Sequence, residues 1–472
     1  MTTDVQDLMV LLDNSLALGE NGAVVNDAVR LRATIHRLAE VSALERGRRQ
    51  GLARLLVRQA ALASGVMPAS IHDLYLARGR GEIPPTFTVP AMNLRSLSFE
   101  AARAVFRAAR KLDAGAMIFE IARSEIGYTG QRPAEYATSV LAAALAEGYS
   151  GPVFIQGDHF QVSAKRYAKD PETELQAVKE LVQEAIQAGF YNIDIDTSTL
   201  VDLSRPDLKD QQALNSSLSA MFTALIRELE PEGITISVGG EIGEVGGHNS
   251  TEPELRAYMD GFVDELVRRA PGAAGLSKIS IQTGTSHGGV VLPDGTLADV
   301  AVDFDTLRHL SQVARRDYRL GGAVQHGAST LPESAFGQFV KAEAVEVHLA
   351  TNFMNMLFDR LPADLKAEMY RYLDENFSGD RKPDMTADQF YYKTRKNSIG
   401  PFKAQVWNLP AEVKDDIRQA WEAQFLRLFE LLGLAGTRRL VDQTIRAAAV
   451  QPERSFYLGA EAGQEEVSDL AD

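Results

Sequence analysis

Cysteine is absent from the chain of 472 residues. That excludes disulfides, a thiolate nucleophile and thiolate metal ligands, so any zinc must be held by histidine and carboxylate. Positive charge is in deficit: 49 Lys and Arg stand against 64 Asp and Glu, a formal net charge of −15. A surface that acidic repels nucleic acid and anionic membrane as a whole, while leaving room for a local basic pocket that takes a phosphate. No uninterrupted apolar stretch is long enough to span a bilayer. No basic segment precedes the apolar residues of "MTTDVQDLMVLLD", so a secretory signal is not expected and the cytoplasm is the expected location. A Walker A sequence is missing, and the Gly-rich "GGEIGEVGGHNS" (239–250) does not match G-x-G-x-x-G between a strand and a helix. It reads as a strand end followed by a loop with glycine hinges.

What is present is an ordinary globular mixture, 45% apolar and 24% charged, with ample material for a core. Residues 1–80 carry apolar side chains at helical spacing (Leu8, Leu11, Val25, Val29, Ile35, Leu38) and predict a helical N-terminal extension. His36, His72 and His309 lie in helical patterns and read as structural. "GRGEIPPTF" (79–87) breaks the pattern with glycine and paired proline.

Beyond it, short β-rich runs alternate with longer helical ones. The runs are "FTVPAMN" (87–93), "AMIFEIA" (116–122), "PVFIQGD" (152–158), "YNIDIDT" (191–197), "TISVGGE" (235–241), "KISIQTG" (278–284), "GGAVQHG" (321–327) and "AVEVHLA" (344–350). "DPETELQAVKELVQEAIQAGF" is the clearest helix, with Asp170 as N-cap, Pro171 at the first position and Gly189 as its stop. Eight βα units predict an α/β fold, a (β/α)8 TIM barrel over 81–358; an open doubly wound sheet is the alternative. Residues 359–450 read as a helical C-terminal region with an irregular stretch at 376–402, and 451–472 as an acidic, solvated tail.

In such a barrel the C-terminal strand ends share one mouth. Asn93, Asp158 with His159, Asp196 with Ser198 just beyond, Glu241, His287, His326 and His348 all fall at or just after these ends. The chain has eight histidines, and four of them are in this set. Three imidazoles from different strands plus a carboxylate suit a catalytic divalent cation, with one position open to substrate. We assign His159, His287 and His326 as ligands and Glu241 as a fourth or alternate ligand. Small residues flank them, and loops after the last two strands commonly hold phosphate in this architecture.

"TVPAMNLRSLSFEAARAVFRAA", "GDH", "GGEIGEVGG", "GTSHGG", "QHGAS" and "RKNSIGPFKAQV" together resemble the class II, metal-dependent fructose-bisphosphate and tagatose-bisphosphate aldolases. The resemblance covers roughly residues 85–355 and a short piece near 394–405. "IGYTGQRPAEY" followed by "GDH" is also similar to the non-catalytic accessory subunit of tagatose-bisphosphate aldolase. The resemblance implies zinc or another divalent cation on His159, His287 and His326, with Glu241 and Asp196 near the metal, and a monovalent cation as a further candidate cofactor. It makes Asp158 the proton-transfer residue and Gly288, Gly327 and Ser329 phosphate contacts. Asn93 falls where the family keeps a substrate-side Asn, and Ser198, His348 and Thr351 are further substrate-side candidates. The implied reaction cleaves or condenses a phosphorylated ketose through a metal-stabilised enediolate, without a lysine Schiff base.

Three departures stand out. Where the family has a Glu after the double Gly of the fifth strand's loop, "GGHNSTE" offers His248 and, further on, Glu252 as candidate acid/base residues. Where it has an Asn on the eighth strand, this chain has His348 in "HLAT". The N-terminal helices and the insertion after the last strand are atypical, and helical additions of this kind predict a homo-oligomer. The alternatives are an aldolase-like accessory subunit and a metal-dependent hydrolase, the latter lacking the H-x-H often found on the first strand.

Overall fold

A computed structural model describes residues 3–19, 22–243, 248–284 and 302–459. The strands are β1 (Leu16–Gly19), β2 (Gly22–Val25), β3 (Val66–Ala69), β4 (Val89–Asn93), β5 (Ile118–Ala122), β6 (Gly151–Gln161), β7 (Asn192–Asp196), β8 (Ser237–Glu241), β9 (Lys278–Ile281), β10 (Ala323–Gln325) and β11 (Glu346–Leu349). β4 to β11 are parallel neighbours, ordered β6-β5-β4-β11-β10-β9-β8-β7, and the β6–β7 pairing closes the ring. The chain thus forms a closed eight-stranded parallel barrel with flanking helices, a (β/α)8 barrel with helical additions at both ends. The helix Pro171–Ala188 has the stops read from its sequence: Asp170 accepts a hydrogen bond from the Thr173 amide, and Gly189 closes it at φ 100°. No helix among the described residues is long and apolar enough to cross a membrane.

The first 80 residues carry helices, but they also contain the antiparallel hairpin β1–β2 and the short strand β3. β3 pairs with the first half of β6, from Val66 opposite Gly151 to Ala69 opposite Phe154, while β7 takes β6 from Gln156 onward. A run as short as "VMPA" has too few residues to show a period, so helical spacing around it masks it. The helix His72–Gly79 then packs against the N-terminal end of the barrel. Arg78 donates to the carbonyls of Phe87, Glu343 and Ala344, and Tyr75 donates its hydroxyl to Glu346. At the other end of the chain, the helix Ala411–Leu431 lies on the first barrel helix, Ser98–Leu112. Arg418 pairs with Glu100 at 2.7 Å and the Trp421 indole donates to the Phe353 carbonyl at 3.1 Å. The irregular stretch after Asn376 contains the helix Ala387–Thr394 and a 3-10 turn, Arg395–Ser398.

The barrel interior is unusually polar. Parallel barrels are normally filled with branched apolar side chains, yet Glu120, Gln156, Asp194, Lys278 and Glu346 are all buried. Lys278 Nζ donates to Gln156 at 2.8 Å, to Asp194 at 2.9 Å and to Glu346. Gln156 in turn donates to Glu120 at 2.8 Å and to Glu346 at 2.9 Å. Charges taken out of water are tolerated only when paired and hydrogen-bonded in this way. This network forms the floor beneath the barrel mouth.

Candidate metal centre and active site

A regular strand sends successive side chains to opposite faces, so Asp158 and His159 should not both reach the mouth. A bulge resolves the conflict. The β6–β7 register shifts between Gly157 and Phe160, and His159 adopts φ 39°, in the left-handed region. Such bulges re-aim a side chain beside active sites. Gly157 is required for it, because a Cβ there would lie 2.4 Å from the Phe160 ring.

The bulge brings His159 against three other strand ends. Its Nδ1 lies 3.2 Å from both Asp196 Oδ2 and Glu241 Oε2, and its Nε2 lies 3.0 Å from His326 Nδ1. Ligand atoms of His159, Glu241 and His326 fall within 4.8 Å of one another. Burial works against a charge on His159, yet Asp158, Glu241 and Asp196 hold its pKa well above the usual imidazole range. Burial and the Asp196 charge beside it raise the Glu241 carboxyl, while hydrogen bonds from His159, Ser198 and Gln161 and the His159 charge hold Asp196 below the usual carboxylate range against its burial. Two imidazoles and flanking carboxylates are a donor set that fits a divalent cation. His287 and Gly288 lie outside the described residues. Ser198 braces this set without lining the pocket: its hydroxyl donates to Asp196 at 2.6 Å. Ser280, which the sequence reading passed over, meets His326 Nε2 at 3.0 Å.

Asp158 sits at the junction of this set with the pocket. Asn93 Nδ2 donates to its Oδ2 at 3.0 Å, and His348 Nδ1 lies 3.1 Å from its Oδ1. Burial alone would raise the Asp158 carboxyl, but His159 and His348 beside it hold it well below the usual carboxylate range. His348 is tied on its other side to Glu346 at 2.6 Å, joining the mouth to the polar floor. His348 and Thr351 line the pocket with Gly327 and Ser329. Gly327 has φ 69°, and the Ser329 hydroxyl accepts from the Ala350 amide, which leaves its own proton to donate.

The structure does not bring His248 or Glu252 to this pocket. His248 is exposed, with Nδ1 2.9 Å from the Asn249 carbonyl. Glu252 heads the helix Glu252–Arg269 and is engaged by Arg256 and His309, each at 2.7 Å. Both follow a loop whose residues 244–247 lie outside the described residues. Conversely, the pocket contains Arg95 and Glu125, which the sequence reading did not single out. Glu125 Oε2 accepts from Asn93 at 2.9 Å and from the Ala122 amide at 2.9 Å, and its Oε1 accepts from Arg95 Nε at 2.5 Å. A signal for the buried acids was available: Asp194 and Asp196, like Glu346 and His348, repeat with period two on one face of otherwise apolar strands.

A comparison with curated protein sequences found no match. Among solved structures, fructuronate-tagaturonate epimerase UxaE from Cohnella laeviribosi is 13% identical, with TM-score 0.56 and coverage of 89% of this chain and 90% of that one. The YdjI aldolase of Escherichia coli K12 is 14% identical with TM-score 0.47, covering 78% of this chain and 99% of its own. Fructose-bisphosphate aldolase from Campylobacter jejuni is 18% identical with TM-score 0.46, covering 78% and 94%. At such identity the likeness to UxaE speaks to the fold alone. The family model described as fructose-bisphosphate aldolase class-II, however, matches residues 85–419, from the strand carrying Asn93 to beyond the turn Arg395–Ser398. The chain belongs to the class II fructose-bisphosphate aldolase family.

Proposed function

We propose that the protein is a zinc- or other divalent-metal-dependent aldolase that cleaves and re-forms a carbon–carbon bond in a phosphorylated ketose. The observation that carries this reading is the placement of the buried Asp158 carboxyl directly beside the His159–His326–Glu241 set at the barrel mouth, 3.9 Å from His159 Nε2.

His159, His326 and Glu241 are the residues that would hold the cation, with Asp196 fixing His159 from behind. When bound, such a cation supplies Lewis-acid stabilisation of the charge that develops at the ketone oxygen. Asp158 Oδ accepts the proton of the hydroxyl on the carbon being released. That carbon becomes an aldehyde, and the electron pair of the broken bond passes to the ketone-bearing fragment. In condensation the same carboxyl returns the proton. Asn93 and His348 hold the two Asp158 oxygens from either side, which orients the carboxylate and keeps it ionised until substrate arrives. The Gly327 backbone and the Ser329 hydroxyl offer donors to a phosphate beside the metal set.

Metal analysis of the purified protein, combined with release of triose phosphate from ketose bisphosphates, tests the reading. His326→Ala should lose both metal and turnover. Asp158→Asn should keep its metal and lose roughly 10²- to 10⁴-fold in kcat. A metal-loaded wild type that releases no aldehyde from any ketose phosphate would refute the aldol reading in favour of an accessory role.

A further inference from the structure

The floor of the pocket is tied to an element outside the barrel. Tyr75 sits on the helix His72–Gly79, at the end of the barrel opposite the mouth, and is 1% exposed. Its place is fixed from two sides. Arg78 on the same helix holds three backbone carbonyls, and the Gly321 backbone comes so close that a Cβ there would lie 2.8 Å from Tyr75 Cβ. The Tyr75 hydroxyl donates to Glu346 Oε2, and among the described residues no other donor reaches that oxygen. The other oxygen, Oε1, is shared by Lys278, by Gln156 at 2.9 Å and by His348 Nε2 at 2.6 Å.

On its far side the His348 ring stands between two acids. Nδ1 lies 3.1 Å from Asp158 Oδ1 and 3.2 Å from Glu120 Oε1. Only the contact with Asp158 has hydrogen-bond geometry, and the buried Glu120 Oε1 is left without a hydrogen-bond partner. A small rotation of the ring exchanges the two partners. The bond at Nε2 sets that rotation, and the plane of the Glu346 carboxylate sets the bond. Lys278 and Gln156 both pull on Oε1, so Tyr75 on Oε2 is what holds the plane against them.

We propose that Tyr75 is a positioning residue for the reaction: through Glu346 it sets the His348 ring so that Nδ1 engages Asp158 and not Glu120. The inference rests on the aldolase reading in taking Asp158 as the proton-transfer group. Coupling between distant sites needs a contiguous network containing an element with two arrangements. Here the network is Tyr75–Glu346–His348–Asp158, and the element is the His348 ring. The helix that carries Tyr75 lies in the N-terminal extension, so that extension helps to aim the carboxylate at the opposite end of the barrel.

The test is Tyr75→Phe in the intact protein, with two readouts. In protein labelled with ¹⁵N-histidine, the His348 ring signals are identified by their loss in His348→Asn. Tyr75→Phe should move the His348 Nδ1 resonance, although Tyr75 touches only the carboxylate on the Nε2 side. In ketose-phosphate cleavage, Tyr75→Phe should lower kcat by roughly tenfold, within the 10²-fold that a misplacement of about 1 Å can cost. KM and metal content should stay as in wild type. In an Asp158→Asn background the same substitution should cost nothing further in kcat, since residues acting as one unit are not additive. Tyr75→Met, which fills the space without a donor, makes the same comparisons should the phenylalanine variant fold poorly. An unmoved Nδ1 resonance overturns the proposal, as does a kcat loss of equal size with and without the Asp158 carboxylate, which is what general loosening of the barrel produces. The resonance is read without turnover. A wild type that cleaves no ketose phosphate therefore sinks the reaction reading, while the Nδ1 signal still decides whether Tyr75 sets the ring.

Discussion

Replacing Lys278 by methionine removes the ammonium that joins Asp194 and Glu346 inside the barrel, while keeping an unbranched side chain of similar length. In the wild type the ammonium is fully buried, 2.9 Å from Asp194 and 2.8 Å from Gln156, and hydrogen-bonded to Glu346. Removing one partner of a buried ion pair costs about 3–5 kcal/mol, because the remaining charge is left uncompensated. The cost should depend on pH in a defined direction. Burial raises Asp194 to about 6, and Lys278 pulls it down, so without Lys278 it rises further. A carboxyl whose folded pKa exceeds its unfolded value binds a proton on folding, so stability is lost as pH rises through the folded pKa and recovered as pH falls. Burial also acts to raise Glu346, and Lys278 with His348 holds it down to about 2; removing Lys278 moves it the same way as Asp194. Lys278→Met should therefore be most destabilised near pH 8 and regain stability toward pH 5.5. Guanidinium denaturation of wild type, Lys278→Met, Glu346→Gln and the double variant at both pH values reads the effect. The double variant should show a coupling of about 1–3 kcal/mol. A loss below about 1 kcal/mol at pH 8, with no pH dependence, would show that the network is not an ion-paired unit.

Other substitutions probe other links. Gly157→Ala places a Cβ 2.4 Å from the Phe160 ring, so it should destabilise the fold by about 1–3 kcal/mol. It should also weaken metal retention on dialysis, because the bulge aims His159; unchanged metal content would separate the bulge from the site. Tyr75→Phe deletes the hydroxyl that donates to Glu346 from the helix beneath the barrel. A hydrogen bond to a charged group is worth about 1.5–3 kcal/mol, and a thermal or denaturant midpoint should fall accordingly. An unshifted midpoint would mean that the N-terminal helices merely lie against the barrel.

Much of the barrel was legible because each strand is a short apolar run bounded by turn residues, and because acids and imidazoles at the strand ends interrupt those runs. Asp158 and His159 were legible as a pair but not as a geometry. Their shared direction depends on a bulge and a positive φ at a histidine, neither of which adjacent letters encode. β3 escaped notice because four residues carry no period. Arg95 and Glu125 escaped because an arginine after a strand and a glutamate in a helical stretch look like ordinary surface charges until folding buries both. Glu252 and His248 were chosen by distance along the chain from a double glycine. The helix that starts at Glu252 instead commits its carboxylate to Arg256 and His309.

The claim on which the rest depends is that imidazoles from β6 and the loop after β10 share one divalent cation beside Asp158. An anomalous-scattering map of the crystallised protein, collected at the absorption edge of its bound metal, tests it most directly. The account predicts a single peak at about 2.0–2.2 Å from ring nitrogens of both His159 and His326. No peak between those rings, or a metal bound only elsewhere, would contradict it.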